Sequence, residues 1–236
     1  MNNLSKNPFK IKAMFSSIAP RYDFLNRLLS FGRDIYWRRF AVNQLTDASG
    51  GLFLDVATGT GDVAIEIVRQ HVFNTRVVGI DFSAGMLKLC RGKIAKKGYQ
   101  KQIDLCFGDA AFLPFEDKIF DAAIIAFGIR NLSDYKSGIK EMMRVIKEGG
   151  RVVILEFPRI QKGLFGKPFH LYLTKVLPCI GEIVSGGKGA YKYLPNSVLD
   201  FPEPEELKQI MEHVGLREVS YSKLTFGVVA VHIGIK

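Results

Sequence analysis

No apolar run in this sequence reaches bilayer length. The longest, residues 122–129, falls well short of the roughly 18 residues that a membrane-spanning helix needs. Residues 1–12 contain no apolar stretch of the kind a secretory signal requires, so the chain is expected to remain in the cytoplasm. Cysteine is scarce. Cys90, Cys106 and Cys179 are odd in number and widely spaced, with no Cys-x-x-Cys pair and no histidine at a zinc-finger interval. Buried or incidental thiols are therefore expected, with neither a disulfide nor a metal site. Acid is also in deficit: 23 Asp and Glu against 33 Lys and Arg give a net charge of +10. That balance suits nucleic acid, anionic lipid or an acidic substrate without choosing among them. The excess gathers early, since residues 1–50 carry eight basic and three acidic residues, and this segment is the candidate for meeting an anionic surface.

What is present fits a soluble globular chain. The 236 residues are 47% hydrophobic and 24% charged, which sets aside disorder, coiled coil and disulfide scaffold. From Leu52 onward short apolar runs alternate with helical periodicity, the pattern of a parallel sheet wrapped by helices. Strands are predicted at residues 52–57, 76–81, 103–107, 119–127 and 151–157. Helices are predicted at 62–70, at 83–97 with Ser83 as N-cap, and at 135–147 ended by Gly149-Gly150. Residues 158–200 are rich in glycine and proline and break this rhythm, reading as an insertion over one edge. Pro204 then opens a helix that closes at Gly215, and residues 217–224 and 226–235 form an antiparallel pair. The reading is one α/β domain: a helical extension over residues 1–48, a ligand-binding half over 52–157, the insertion, and a C-terminal helix with a hairpin over 201–236.

The residues that carry chemistry follow the first strand: Asp55-Val56-Ala57-Thr58-Gly59-Thr60-Gly61-Asp62. Gly59 and Gly61 let a ligand approach the backbone at a strand-to-helix turn, where free amides point into the crevice. With Ala64 the spacing also satisfies G-x-G-x-x-G/A, and Asp81 lies 20 residues beyond Gly61, as a ribose-binding acid does. Spacing alone leaves a nicotinamide enzyme open. Charge argues against it, because Asp55 and Asp62 flank the loop and repel a pyrophosphate. An ammonium and a sulfonium joined to an adenosine are instead attracted by those carboxylates, with Asp81 taking the ribose hydroxyls. That ligand is S-adenosylmethionine. Gly108-Asp109-Ala110 follows the third strand, where a carboxylate accepts from the adenine amino group, with Phe112 and Leu113 near enough to pack on the ring.

With these motifs the sequence resembles class I S-adenosylmethionine-dependent methyltransferases, and more narrowly the menaquinone and ubiquinone biosynthesis C-methyltransferase family. The narrower resemblance rests on Phe15-Ser16-Ser17-Ile18-Ala19-Pro20-Arg21-Tyr22-Asp23 with Asn26, Ser30-Phe31-Gly32 and Trp37-Arg38. It continues in Phe127-Gly128-Ile129-Arg130-Asn131, in residues 150–157, in Tyr193-Leu194-Pro195-Asn196-Ser197 and in residues 227–232. It implies a doubly wound, mostly parallel seven-stranded sheet with a reversed last strand, and methyl transfer to a ring carbon of a prenylated quinol. Cofactor contacts then fall on Thr60, Asp81, Asp109 and Ala110, with Gly59 and Gly61 shaping the loop. Three positions depart from the family pattern. Asp109 stands where asparagine is often found, Ala126 where serine is often found, and Ala57 replaces a glycine of the generic loop, which suggests a less open turn.

C-methylation beside a phenolic hydroxyl needs alignment, exclusion of water and stabilisation of a phenolate. Arg130 and Asn131 end the fourth strand, at the carboxyl edge where ligands bind in open α/β sheets; Arg130 suits the phenolate and Asn131 the ring oxygen. The competing role for Arg130 is an ion pair with Asp134. Tyr22, Asp23 and Asn26 lie on the N-terminal extension, which is expected to close over the site. Among the histidines, His232 and His170 read as packed or hydrogen-bonded, His71 and His213 as solvated, and the proton acceptor is left unassigned. A prenylated substrate brings the chain to a membrane, for which the basic N-terminal segment and residues 164–173 supply cationic and apolar contacts. A nucleic-acid methyltransferase would need an Asn-Pro-Pro-Tyr or Pro-Cys motif that the chain lacks, so no nucleic-acid partner is expected. A module that binds S-adenosylmethionine without turnover is a more distant rival. Nothing chooses a demethylated naphthoquinol over a methoxy-benzoquinol; the first is preferred by judgement. Exposed apolar residues in the insertion would permit a homodimer.

Overall fold

The computed structural model describes residues 8–46, 50–71, 74–159, 171, 174–175 and 190–236. Seven strands form one sheet: β1 (Gly51–Val56), β2 (Thr75–Asp81), β3 (Ile103–Phe107), β4 (Phe120–Ala126), β5 (Ile146–Glu156), β6 (Arg217–Leu224) and β7 (Val229–Ile235). Their order is β3-β2-β1-β4-β5-β7-β6. The first five run parallel, and β7 is antiparallel to both its neighbours. The expected mostly parallel sheet with a reversed last strand is what forms.

Side-chain alternation explains the two cores. Phe53, Ala122, Ile124, Val153 and Leu155 face one side of the sheet, while Leu54, Val56, Ala123, Ile125, Val152 and Ile154 face the other. Both sets are buried, which is why these strands read as continuous apolar runs. The first side is covered by α2 (Arg33–Val42), α3 (Asp62–Gln70) and α4 (Ala84–Lys97), through Trp37, Ala64, Ile67, Cys90 and Ile94. The second is covered by α5 (Tyr135–Val145) and the later helix Pro204–Val214, through Ile139, Met142, Leu207 and Met211. The N-terminal extension is two helices. In α1 (Pro8–Leu29), Pro20 is accommodated within the helix, and the chain turns at Phe31-Gly32 into α2. α1 lies against α4 and against α6 (Ala190–Leu199); the helix Pro204–Val214 is α7.

Several boundaries differ from expectation. α5 ends at Val145, and β5 begins before Gly149-Gly150. The glycines serve an irregularity in the strand: Gly149 takes φ +76°, and a Cβ on Gly150 would stand 2.7 Å from the Asp121 carbonyl oxygen. The C-terminal pair is joined by a 3-10 turn over Thr225–Gly227, so β7 starts at Val229. Of residues 158–200, the described part includes α6, while residues 160–170 and 176–189, and with them His170 and Cys179, lie outside the described residues. No described helix is long and apolar enough to cross a membrane.

Candidate functional site

β1 leads to its right-hand neighbours through β2 and β3, whereas β4 leads the other way to β5. The carboxyl ends of β1 and β4 therefore flank the topological switch point, where open α/β sheets form their ligand crevice. A cleft of about 620 Å³, open to solvent, lies there. It is lined by Tyr22 of α1, Gly59 after β1, Asp81 and Phe82 after β2, Asp109 and Ala110 after β3, and Asn131 after β4. Six residues proposed from sequence (Tyr22, Gly59, Asp81, Asp109, Ala110 and Asn131) thus share one cavity.

Asp81 is the best-built part of it. Its carboxylate is buried, with Oδ2 accepting from the Gly59 amide and Oδ1 from the Ser83 amide, each at 2.8 Å. Burial pushes its carboxyl above the usual range, and the two amides pull it part of the way back. Each oxygen keeps a lone pair after these bonds, so a pair of vicinal hydroxyls can donate to it. Asp109 is exposed and accepts from the Ala111 amide at 2.9 Å, which orders the turn that carries Ala110 into the wall. The predicted packing by Phe112 and Leu113 is corrected: Phe112 is 80% exposed, Leu113 is in the core, and Phe82, Met86 and Leu132 line the cleft instead.

The glycine loop is held from beneath. Asp55 accepts from Thr58 Oγ1 at 2.6 Å and from the Ala64 amide at 3.0 Å. It is fully buried, and that burial lifts its carboxyl to about 7. It ties the loop to the start of α3 and does not line the cleft. Gly61 caps α3 at φ +85°, and a Cβ there would stand 2.4 Å from Cys90 Sγ. Ala57, expected to make the turn less open, takes a left-handed conformation at φ +54° of the kind glycine adopts freely, and still lines the cleft.

Asp62 is not available to a ligand ammonium. It pairs with Lys93 Nζ at 2.7 Å and with Arg38 at 3.8 Å. Lys93 also donates to Asp23 at 2.6 Å and to Thr60 Oγ1 at 3.1 Å, and Thr60 in turn donates to Asp23. Arg38 continues the network to buried Asp34, which also meets Arg27. α1 is thereby pinned to the loop and to α4, with Ser16 and Ser83 hydroxyls 3.1 Å apart adding a second tie. Lys93 was not singled out in the sequence, and Arg38 was quoted only in the Trp37-Arg38 motif: Lys93 lies 70 residues from Asp23, and nothing local marks either as a partner of the loop.

Arg130 is buried and does not line the cleft. Its Nη1 donates to Glu156 Oε1 at 2.6 Å and to the Phe127 carbonyl at 2.9 Å. Asp134 instead caps α5, accepting from the Lys136 amide at 2.9 Å and the Ser137 hydroxyl at 2.6 Å, so the expected alternative pair is replaced by a buried one with Glu156. The Tyr22 hydroxyl is pushed up by burial, an effect that Arg130, Asn26 and Arg38 oppose. Arg130 Nε and Asn131 Oδ1 are both buried without a hydrogen-bond partner among the described residues. Unpartnered buried polar groups of this kind are costly and call for a ligand or a function. His232 accounts for itself structurally: its ring contacts the Pro204 carbonyl at 2.8 Å and burial lowers it to about 4. His71, expected to be solvated, stacks on Phe53 with its ring centroid 5.7 Å away.

The cleft fits the adenosyl ligand inferred from sequence: a buried carboxylate with free lone pairs, a glycine turn at a helix start, and a backbone wall at Ala110. Solved structures share the whole fold. The [4+2]-cyclase SpnF superposes with TM-score 0.72 at 15% identity, over 96% of this chain and 94% of its own. A SAM-dependent methyltransferase from Aquifex aeolicus gives TM-score 0.65 at 17% identity, over 90% and 97%. Since one of these is named for a cyclisation, the fold alone does not assign the reaction. Sequence relatives are much nearer. A Geobacter sulfurreducens protein named ubiquinone/menaquinone biosynthesis C-methyltransferase UbiE is 50% identical over all of this chain and 92% of its own length. A demethylmenaquinone methyltransferase of Thermus thermophilus is 48% identical over 94% of this chain and 99% of its own. The model of the ubiE/COQ5 methyltransferase family matches residues 3–236, and with the switch-point cleft this places the chain in that family: it is a class I S-adenosylmethionine-dependent methyltransferase.

Proposed function

We propose that the protein methylates a ring carbon of a prenylated quinol, with demethylmenaquinol as the preferred acceptor and a methoxy-benzoquinol as the alternative. The observation that carries this reading is the join of two half-sites in one cleft. Asp81, Gly59 and Ala110, suited to the adenosyl group, and Tyr22 and Asn131, with its unpartnered Oδ1, line the same cleft. When bound, S-adenosylmethionine supplies an electrophilic methyl group on a sulfonium.

The chain's own residues do the rest. Asp81 accepts from ribose hydroxyls, and Asp109 with the Ala110 backbone borders the base. Asn131 Oδ1 accepts from a quinol hydroxyl and fixes the ring so that the carbon beside it faces the donor. The Tyr22 hydroxyl borders the ring oxygen that bears negative charge as the ring carbon attacks the methyl group, and buried Arg130, held by Glu156, supplies positive potential behind it. Arg130 acts here as a positioning and electrostatic group rather than a direct contact. α1 serves as the lid: it brings Tyr22 into the cleft and excludes water there.

The test is methyl transfer from labelled S-adenosylmethionine to two short-chain quinols, one a demethylated naphthoquinol and one a methoxy-benzoquinol, with Asn131→Ala and Tyr22→Phe beside the parent. Turnover that falls about 10- to 1000-fold in Asn131→Ala, with calorimetric cofactor affinity unchanged, supports the assignment, and the acceptor used names the substrate. Cofactor binding with no turnover of either quinol would overturn the quinol reading while leaving the cofactor site in place. Contact with an anionic membrane surface belongs to the same proposal, since the acceptor partitions into lipid.

A further inference from the structure

The corner between α1 and α2 exposes a group of large apolar side chains. Phe24 is 60% exposed, Leu28 41%, Phe31 84%, Ile35 38% and Tyr36 49%. Phe24 and Leu28 stand one turn apart on α1, Phe31 follows in the turn beyond its end, and Ile35 and Tyr36 open α2. Scattered exposed apolar residues are ordinary, but a contiguous run of large ones marks an interaction surface.

The corner is rigid. Gly32 donates its amide to the Arg27 carbonyl at 2.8 Å, Phe31 to Leu28 at 3.2 Å, and Ser30 to Asn26 at 3.0 Å. Beneath it, buried Asp34 receives the Ser30 hydroxyl at 3.0 Å and the guanidinium groups of Arg27 and Arg38. Phe31 itself is held at φ +51°, a left-handed backbone that suits glycine or asparagine and opposes an aromatic residue. Backbone strain of this kind points to a functional constraint on the turn.

The surroundings select the partner. Arg21, Arg33 and Arg39 belong to the same two helices and are exposed, Arg39 while also pairing with Glu66 at 3.4 Å, and the chain as a whole carries +10. Apolar side chains with cationic ones on the same helices match an anionic lipid surface, where aromatic rings sit at headgroup depth and guanidinium groups meet phosphate. The same helix carries Tyr22 into the cleft, so the surface adjoins the lid of the site.

We infer that the α1–α2 corner, through Phe24, Leu28, Phe31, Ile35 and Tyr36 with Arg21, Arg33 and Arg39, is the membrane-docking surface of this protein and seats the lid helix on an anionic bilayer. The inference deepens the quinol reading, on which its purpose rests: a docked α1 lets a lipid-borne ring pass into the cleft without crossing water. It gives the expected contact of the basic N-terminal segment a definite place; of residues 164–173, expected to contribute as well, Leu171 alone is described.

The experiment is flotation of the full chain with phosphatidylcholine vesicles, with and without phosphatidylglycerol, for the parent, a Phe24→Ser/Phe31→Ser double variant and Arg33→Glu. The parent is expected to float with the anionic vesicles and to remain behind with neutral ones or at high salt. The double variant should lose about tenfold or more in partitioning, and Arg33→Glu should lose less, with both variants melting like the parent and methylating a short-chain quinol at its rate. A parent that does not bind anionic vesicles, or variants that bind as it does, would overturn the assignment. So would a dimer in lipid-free solution that Phe31→Ser dissociates, since the surface would then belong to a second copy of the chain. Vesicle binding at this corner without turnover of either quinol would leave the surface standing and remove the substrate reading, so the two failures are distinguishable.

Discussion

Lys93→Met is the substitution that separates the lid from the loop. Methionine keeps most of the lysine stem and removes the charge that joins Asp23 at 2.6 Å, Asp62 at 2.7 Å and Thr60 Oγ1 at 3.1 Å. Burial works against the ammonium, yet the two carboxylates outweigh it and raise its pKa above the ordinary lysine value. The partners are partly exposed, with side chains 39% and 26% accessible, so each contact is worth far less than a buried charged hydrogen bond and about 1 kcal/mol at most. Two partners are also left with alternatives, Asp62 with Arg38 and Asp23 with Thr60. The expected cost is therefore about 1–2 kcal/mol, a roughly 5- to 30-fold increase in the opening of α1. Hydrogen exchange reads it directly: amides of α1 should exchange faster by that factor, while those of β1 and β4 follow only the global stability. The acid limb gives a second sign. Burial pushes the Asp62 carboxyl up, but Arg38 and Lys93 pull it lower still, so its stabilisation is present above the ordinary aspartate pKa and is lost as pH falls below it. Lys93→Met should shrink that loss. In combination with Asp23→Asn, a coupling energy of about 0.5–1 kcal/mol is expected. Unchanged α1 exchange together with strict additivity would show that the network does not hold the helix.

Two further substitutions test the scaffold of the site. Gly61→Ala puts a Cβ 2.4 Å from Cys90 Sγ at φ +85°, combining left-handed strain with overpacking, for a loss of about 2–4 kcal/mol. Adding Cys90→Ala should recover about 1–2 kcal/mol of it in urea unfolding, and a double variant no better than the sum of the singles would remove Cys90 as the obstacle. His232 resists protonation to about 4 against an ordinary 6.5, so the unfolded chain binds the proton first and the parent loses stability as pH falls from about 6.5 toward 4. His232→Gln has no such titration, and its stability deficit relative to the parent should narrow between pH 7.5 and pH 5; a constant deficit would mean the imidazole is not held neutral by its buried place against Pro204.

Much of this was written in the one-dimensional pattern because the physics behind it is local. Strands buried on both faces must be apolar throughout, so β1, β2 and β4 were visible. Ser83 reads as an N-cap because its hydroxyl serves its own helix, accepting from the Met86 amide at 3.4 Å. The acids of the cleft were visible because strand ends of a parallel sheet converge at its carboxyl edge. What escaped depends on distant partners. Asp62 looked free because Lys93 is 31 residues away. Asp134 looked like the partner of Arg130, whereas parallel pairing of β4 with β5 brings Glu156 there from 26 residues away. The glycines at 149 and 150 looked like a helix stop because their reason, the backbone of Asp121 on a neighbouring strand, is not in the adjacent sequence.

The loop around Ala57 shows how a side chain is accommodated at a left-handed position. Ala57 and Phe127 both hold left-handed backbone conformations, at φ +54° and +56°, just beyond the two strands that bracket the switch point. Each conformation costs a residue with a side chain about 1–2 kcal/mol. For Phe127 the ring offsets this by packing on Phe157 at 4.8 Å and Trp37 at 6.2 Å. For Ala57 the room comes from across the cleft: a Cβ on Gly128 would fall 2.7 Å from the Ala57 methyl. The Ala57 methyl group thus occupies space that glycine at 128 leaves open, and the turn keeps the course that brings Gly59 to Asp81. Strain of this kind persists only where surrounding contacts over-determine the backbone. Here it falls on both walls of the cleft, and the packing of Phe127 and the space beside Gly128 hold the backbone in the course that brings Gly59 to Asp81.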